Sequence, residues 1–403
     1  MQPDMTQNSS EMLATLKADA AARFEAAGWP TPAHEAWKFT NLNRLKARDF
    51  TPANADASAS DGATDGMIVF RNGVYQPGLS GAMPDGVVLT SLDDSAGLAG
   101  LLDHDQLKGH PVADQTLAAT TGGIGLTVTG TASTPVTVVY ENTGDDTSAH
   151  PVMVVDLADG ASLTLLETHA GEGEGLSLPV MAIRQGEGAA LHHARVQVED
   201  ENRHHLGQAV FTLASKASYT GVSVQTGSAL SRCENHFSLN GEEADATLTT
   251  LYLACRDQVM DVTAFVGHKA PSCTSMQVIR GVLDDKARGV FQGKVLVDPI
   301  AQHTDGNQMS RALLLSRKCE ADAKPELEIY ADDVACSHGA TVGEIDDTHL
   351  FYLMSRGIPA EQARQMLIEA FLADALDDVG DETLRDFAMQ PVENWLTQLK
   401  EAS

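Results

Sequence analysis

The 403-residue sequence predicts a mainly β protein with α-helical segments at its two ends. Three observations carry that prediction. From about Met67 to Ile345 the chain consists of short runs such as "GLTVTG", "TPVTVVYEN" and "ASLTLLETHAG". They are rich in Val, Leu and Thr, partly alternate, and are punctuated by Gly, Asp and Glu at intervals of roughly 8–12 residues. Before and after that span, apolar residues recur at helical spacing. Within it, no helix pattern alternates with the strands, which argues against a doubly wound α/β fold. Many short strands suit a sandwich, a barrel or a solenoid. No strict repeat of fixed length is visible, so periodicity alone does not choose among them.

The elements follow in order. Residues 1–50 form an N-terminal helical segment. "SSEMLATLKADAAARFEAAG" places Met12, Leu13, Leu16, Ala20, Phe24 and Ala27 near one face, with Ser9 or Ser10 as cap and Gly28 with Pro30 as terminator. "TPAHEAWKFTNLNRL" follows, with Thr31 as cap and Pro32 at the first helical position. Residues 51–66, "TPANADASASDGATDG", are small, polar and low in complexity, and read as a linker. Residues 67–345 make the β domain. Residues 346–403 make a C-terminal helical domain. Asp346 or Asp347 caps "DTHLFYLMSR", and Gly357 closes it. Pro359 starts a second helix on which Ala363, Met366, Leu367, Ala370 and Phe371 recur at i, i+3, i+4. One or two further short helices end the chain, with a break at Pro391.

Composition excludes several function classes. The net charge of −29 repels phosphate backbones and anionic bilayers, so neither nucleic acid nor membrane is an expected partner. No apolar run is long enough for a transmembrane helix, and the N-terminus lacks the pattern of a secretory signal. The five cysteines are odd in number and include no C-x-x-C. A reducing, cytoplasmic location is therefore expected.

Nucleotide motifs fail on inspection. In "GVFQGKV" three residues separate Gly289 from Gly293, and Val295 stands where a phosphate loop needs Ser or Thr. "GEGEG" (171–175) is not a dinucleotide fingerprint. Neither G-x-S-x-G nor H-E-x-x-H occurs. "LHHARVQ" and "NRHHLGQ" put His192, His193, His204 and His205 on two strands of a candidate hairpin. Adjacent strand residues face opposite sides, so at most one His of each pair can share a site; exposed polar residues near a turn are the expected reading.

Cys336 and His338 are different. On a strand, positions i and i+2 share a face. A thiol beside an imidazole suits Zn²⁺ or iron–sulfur chemistry, but two ligands do not close a tetrahedral site. A buried Cys beside a hydrogen-bonded His is the plain structural alternative.

These residues sit in "PELEIYADDVACSHGATVGEIDDTHLFYLMSRGI", which strongly resembles the C-terminal signature of the SufB/SufD family of iron–sulfur cluster assembly proteins. "GVFQGKVLVDPIAQHTDGNQMSRALLLS", "DVTAFVGHKAPSCTSMQVIRGVL" and "ENHFSLNGEEADATLTTLYLACRDQ" fit the same family, and "TPAHEAWKFTNLNRL" resembles its helical entry motif. The "ATVG" after His338-Gly339, in place of a Glu after the His, is similar to the SufD-like branch. The resemblance implies a right-handed parallel β-helix flanked by helical segments. It implies a non-enzymatic scaffold that pairs with a SufB-like subunit through its β-helix edges and docks a SufC-like ABC-type ATPase through its C-terminal helices. The isolated chain would form a homodimer as its alternative assembly. Leu350, Phe351, Met354, Arg356, Met366, Leu367 and Phe371 are the candidate docking residues. His338, with Cys336 assisting, would serve a nascent iron–sulfur cluster, transient and shared with the SufB-like partner; no stable cofactor is expected in the isolated chain. An independent metal-dependent enzyme on a β-helix, and a purely structural partner subunit, are the alternatives.

Overall fold

A computed structural model describes residues 5–53, 64–377 and 379–402. The strands stack in parallel into two sheets, and successive strands from Val136 to Glu344 pass alternately from one sheet to the other, apart from short side strands. The result is a parallel β-solenoid with helices at each end. Its interior is an apolar column built from both sheets, including Leu126, Val138, Leu163, Phe211, Phe237, Val266 and Val295. This resolves the choice among sandwich, barrel and solenoid.

Stacking explains why no fixed repeat shows in the sequence. The offset between residues paired on neighbouring coils ranges from 26, for His204 on Leu230, to 32, for Arg288 on Glu320. One corner does recur. Gly160, Gly188, Lys216, Glu243, Ser272 and His303 all have positive φ, and each donates its backbone N–H to the neighbouring coil. Glycine is the natural residue for that conformation, yet it occupies only the first two of these six corners.

Both outer faces of the solenoid are covered. Helix Met5–Ala27 packs Leu13 and Ala20 with Leu98, Leu102 and Leu117 against Val152, Val154, Val180 and Val210. Short helices at Ala96–Ala99 and Pro111–Ala119 complete that layer, inside the span read from sequence as strand. The first helix starts earlier than Ser9. The Ser9 hydroxyl instead accepts from the Ala96 N–H at 2.8 Å, tying the helix to this layer. Gly28, at φ 63°, ends the helix as expected. "TPAHEAWKFTNLNRL", expected to be a short helical motif capped by Thr31, is only partly helical. It has a 3₁₀ turn, Glu35–Trp37, and a short helix, Asn43–Lys46, because Trp37, Leu42 and Leu45 are buried against Leu176, Leu178 and Leu206. Packing has overridden propensity here. Of the linker 51–66, residues 54–63 lie outside the described residues, and Thr51–Pro52 pairs with Thr147–Ser148.

On the opposite face, helices Ala360–Leu376 and Glu382–Ala402 bury Ile368, Leu372, Leu376, Leu384, Val392 and Trp395 against Val196, Val222, Leu251 and Val282. Pro391 does not break the last helix, which runs through it. Ala388, Val392 and Trp395 are buried on either side and hold the turn in place. The buried stripe of Ala360–Leu376 is Ala363, Ile368, Leu372, Ala375 and Leu376, rotated from the stripe read in the sequence.

Candidate functional site

The solenoid ends in two strands, Glu320–Ile329 and Ala335–Glu344, which are the last members of the two sheets. Each pairs on one side only, with Arg288–Val297 and Asp305–Leu314 respectively. The last coil therefore presents two sheet edges, whose unpaired backbone groups are a template for further strand pairing. Ile329, Tyr330 and Val342 are large apolar side chains exposed at this end, and Ile300 is exposed beside it.

Cys336 and His338 lie on the final strand. Their register places Cys336 over Gly306 and His338 over Gln308, and Gly306 and Gln308 are both buried. The two side chains thus share the inward-facing set, as the i, i+2 spacing predicts. Cys336 is half-buried and packs against the interior column. His338 is exposed because no coil covers it. Burial pushes the Cys336 thiol up, while a backbone N–H bond from Gly306 works against the rise. Among the described residues, no group of three or more His, Cys, Asp or Glu side chains is arranged to hold a metal ion.

Helix Asp347–Ser355 begins three residues after the final strand. The Asp346 carboxylate caps it by accepting from the Thr348 N–H at 2.7 Å. None of its residues is buried. Phe351 is 73% exposed, Tyr352 56% and Met354 45%, and the Arg356 guanidinium lies 5.2 Å from the centre of the Tyr352 ring. Leu350 is half-buried and Arg356 exposed. On the next helix Met366 is exposed and Leu367 half-buried. Phe371 turns inward: it packs against the helix–sheet core and sits 5.8 Å from the Arg280 guanidinium.

The histidine pairs overturn their expected reading. The two strands do not form a hairpin; they belong to different sheets. His193, His204 and His205 are buried, and alternation sends His192 outward, where its Nδ1 lies 3.0 Å from Asp381. The inward rings join a polar layer inside the solenoid. The Glu167 carboxylate accepts from His169 at 2.6 Å and His193 at 2.8 Å, with the Arg195 Nε at 3.4 Å. Burial disfavours its charge, but Arg195 and His169 hold it well below the usual carboxylate range. The Glu199 carboxylate accepts from His205 Nδ1 at 2.7 Å and Gln197 Nε2 at 3.0 Å, and from the Ser177 hydroxyl. Burial opposes protonation of His205, yet Glu199 and the Cys233 thiol push it up to about 10. A second cluster joins Arg232 to Glu234 at 2.7 Å and to Asp261, under the Trp37 ring at 4.2 Å. Alternation allows only one His of each pair to point inward; the contacts of Glu167 with His193 and Arg195 and of Arg232 with Asp261 cross a coil, whereas Glu167–His169 and Arg232–Glu234 are i, i+2 pairs on one strand, a local signal that sequence reasoning missed.

A family model described as "SUF system FeS cluster assembly, SufBD core domain" matches residues 139–371. Among curated proteins, the iron-sulfur cluster assembly protein SufD of Escherichia coli (strain K12) is 33% identical over 372 residues, covering 89% of this chain and 87% of that protein. An iron-sulfur cluster assembly SufBD family protein of Synechocystis is 28% identical, covering 87% and 84%. SufD of Bacillus subtilis is 27% identical, covering 64% and 60%.

Proposed function

This chain belongs to the SufBD family of SUF-system iron–sulfur cluster assembly proteins, and from that premise we propose that it is the SufD-like scaffold subunit of a SufBCD-type complex. The observation that carries the reading is the uncapped last coil. It joins three features between Glu320 and Ser355: two open sheet edges, the Cys336–His338 pair above the solenoid interior, and a helix with no buried face.

Each feature supports one role. The open edges suit strand addition by a SufB-like subunit, since main-chain hydrogen bonds supply affinity and the alternate side chains supply specificity. Exposed Ile329, Tyr330 and Val342 would be covered in the same step. Cys336 and His338 would then face the partner's residues. One thiol and one imidazole cannot complete the coordination of an iron–sulfur cluster, so the partner supplies the remaining ligands and the cluster is cargo, held transiently. Phe351, Tyr352 and Met354 form a small apolar surface on a projecting helix, a form suited to helix-mediated docking of a SufC-like ATPase. ATPase chemistry belongs to that partner, because this sequence has no phosphate loop.

The polar layer inside the solenoid weighs against a free-standing metal enzyme. Its carboxylates are engaged by His, Arg, Gln and Ser donors, and Arg195 and Arg232 supply positive charge where a cation would have to sit. The test is co-purification of the tagged chain with SufB-like and SufC-like proteins from the same cell. A stable ternary complex is expected. A chain that is monomeric and alone when both proteins are present overturns the proposal.

A further inference from the structure

A cleft of about 620 Å³ separates the last helix, Glu382–Ala402, from a row of solenoid corners. Its size suits a small organic molecule or a short peptide. The helix contributes Pro391, Asn394, Trp395 and Gln398, which stand at i, i+3, i+4 and i+7 on one face. The corners contribute Asp200 and Glu201 at one end, Cys255 and Arg256 between, and Asp284 and Asp285 at the other end. This order follows the stack, since Gln197 pairs with Gln225, Gln225 with Tyr252 and Tyr252 with Gly281. Three coil steps of about 4.8 Å each put the two acidic ends about 14 Å apart.

Four carboxylates line this cleft and one guanidinium answers them. Arg256 pairs with Glu201, and among the described residues no cationic side chain lies within ion-pair distance of Asp200, Asp284 or Asp285. A concave wall of one sign focuses its field on an entering cation. The carboxylates do not converge on a point: among the described residues no group of three or more His, Cys, Asp or Glu side chains is arranged to hold a metal ion. Charge spread along a cleft suits an extended polycation instead. Trp395 says which kind. It is only 4% exposed, and among the described residues nothing accepts from its indole N–H. That nitrogen is not sealed inside the protein, so it opens to the cleft that the ring lines. An indole nitrogen can only donate, so the occupant must bring an acceptor. A peptide brings backbone carbonyls for Trp395 and basic side chains for the carboxylates, whereas a linear polyamine brings cations alone. Val198, 38% exposed and also in the lining, offers the aliphatic stem of a basic side chain an apolar contact.

We propose that this cleft docks a short extended segment of a partner protein that carries basic side chains at i and i+4. One cation meets Asp200, the other meets Asp284 and Asp285, and a backbone carbonyl accepts from the Trp395 N–H. The spacing follows from the stack. Side chains at i and i+4 point to the same side of an extended chain, and at about 3.4 Å per residue they stand about 14 Å apart.

The experiment uses the full chain at low ionic strength, where exposed charges are least screened, and two capped peptides of one composition, "GKSGSKG" and "GSGKKSG", each tagged with a neutral dye. Fluorescence anisotropy reads binding. Iodoacetamide alkylation followed by peptide mass spectrometry reads cover over Cys255, with Cys336 as internal reference. The first peptide should bind about tenfold more tightly than the second and should slow alkylation of Cys255 but not of Cys336. Asp200→Asn with Asp284→Asn should weaken its binding about tenfold. Asp19→Asn with Glu25→Gln, the same change of charge at exposed positions of the first helix, should leave it within about twofold. Trp395→Phe, which keeps a ring and deletes the donor, should weaken it about fivefold; if that variant does not fold, the aspartate pair decides. Equal binding of the two peptides, binding of neither, full binding by the aspartate variant or an unprotected Cys255 overturns the proposal. Wild-type binding by a folded Trp395→Phe overturns it too, as does spermine displacing the first peptide as readily as its unlabelled form does, because a polycation without acceptors would then suffice. None of these readouts involves cluster chemistry, so their failure and that of the assembly reading are distinguishable.

Discussion

Replacing Glu199 by Ala should remove the anion that keeps His205 charged in the middle of the solenoid. The side chains are 0% and 1% exposed and meet at 2.7 Å. Breaking a buried ion pair by deleting one partner costs about 3–5 kcal/mol. The proton on His205 gives a second route to the magnitude. Glu199 and Cys233 together push the imidazole up to about 10, which corresponds to about 5 kcal/mol as an upper bound on the Glu199 share. The two figures agree in order of magnitude. Gln197 and Ser177 lose an acceptor in the same substitution. The sign with pH follows from the raised folded-state value. The pair's stabilisation is fully present below about pH 6.5 and is lost as pH rises through about 10. Urea unfolding followed by circular dichroism at pH 6, 8 and 10 should show a wild-type advantage of about 3–5 kcal/mol at pH 6 that shrinks by pH 10. An advantage below about 1 kcal/mol at pH 6, or one that stays flat to pH 10, would refute the reasoning.

Three further outcomes are expected. The double substitution Phe351→Ser with Met354→Ser, on a helix with no buried residue, should change stability by less than about 0.5 kcal/mol per site while abolishing ATPase docking; pull-down and melting measured on one preparation check both. Deleting residues 346–403 should bare Val196, Val222, Leu251 and Val282 and make the remainder aggregate, which sedimentation would detect, so point substitutions are the cleaner probe of docking. Trp37→Ala should cost about 3–5 kcal/mol, since the ring is buried and covers Arg232; a chemical denaturation midpoint close to wild type would contradict that.

Much of the architecture was legible in the sequence, and the illegible parts share a cause. Helical spacing marked both ends, and short alternating runs marked the β region. Choosing a solenoid needed the family resemblance, because coil offsets drift from 26 to 32 and the recurring left-handed corner is filled by Lys216, Glu243, Ser272 and His303 as readily as by glycine. The short entry motif after Thr31 is only partly helical because Trp37, Leu42 and Leu45 are buried on the solenoid flank. At the mouth, the i, i+2 spacing placed Cys336 and His338 on one face. Their unequal exposure depends on where the stack ends, a long-range fact that local pattern does not hold. The contact of Glu167 with His193 was hidden for the same reason, since residues a whole coil apart become neighbours only after the register is known, while Glu199 meets His205 across a turn of six residues whose path the local pattern does not give.

The central claim is that the last coil, with His338 at its open mouth, takes part in building the cluster. The most direct test measures iron and acid-labile sulfide in the purified complex carrying His338→Ala, together with its Tm. His338 is exposed and lies on an edge strand, so the account predicts a Tm near wild type, an intact complex and a cluster content reduced about tenfold or more, the scale on which loss of a metal-site group acts. Normal cluster content in that complex would contradict the claim, and a fall in Tm that matches the fall in cluster content would return His338 to a structural role.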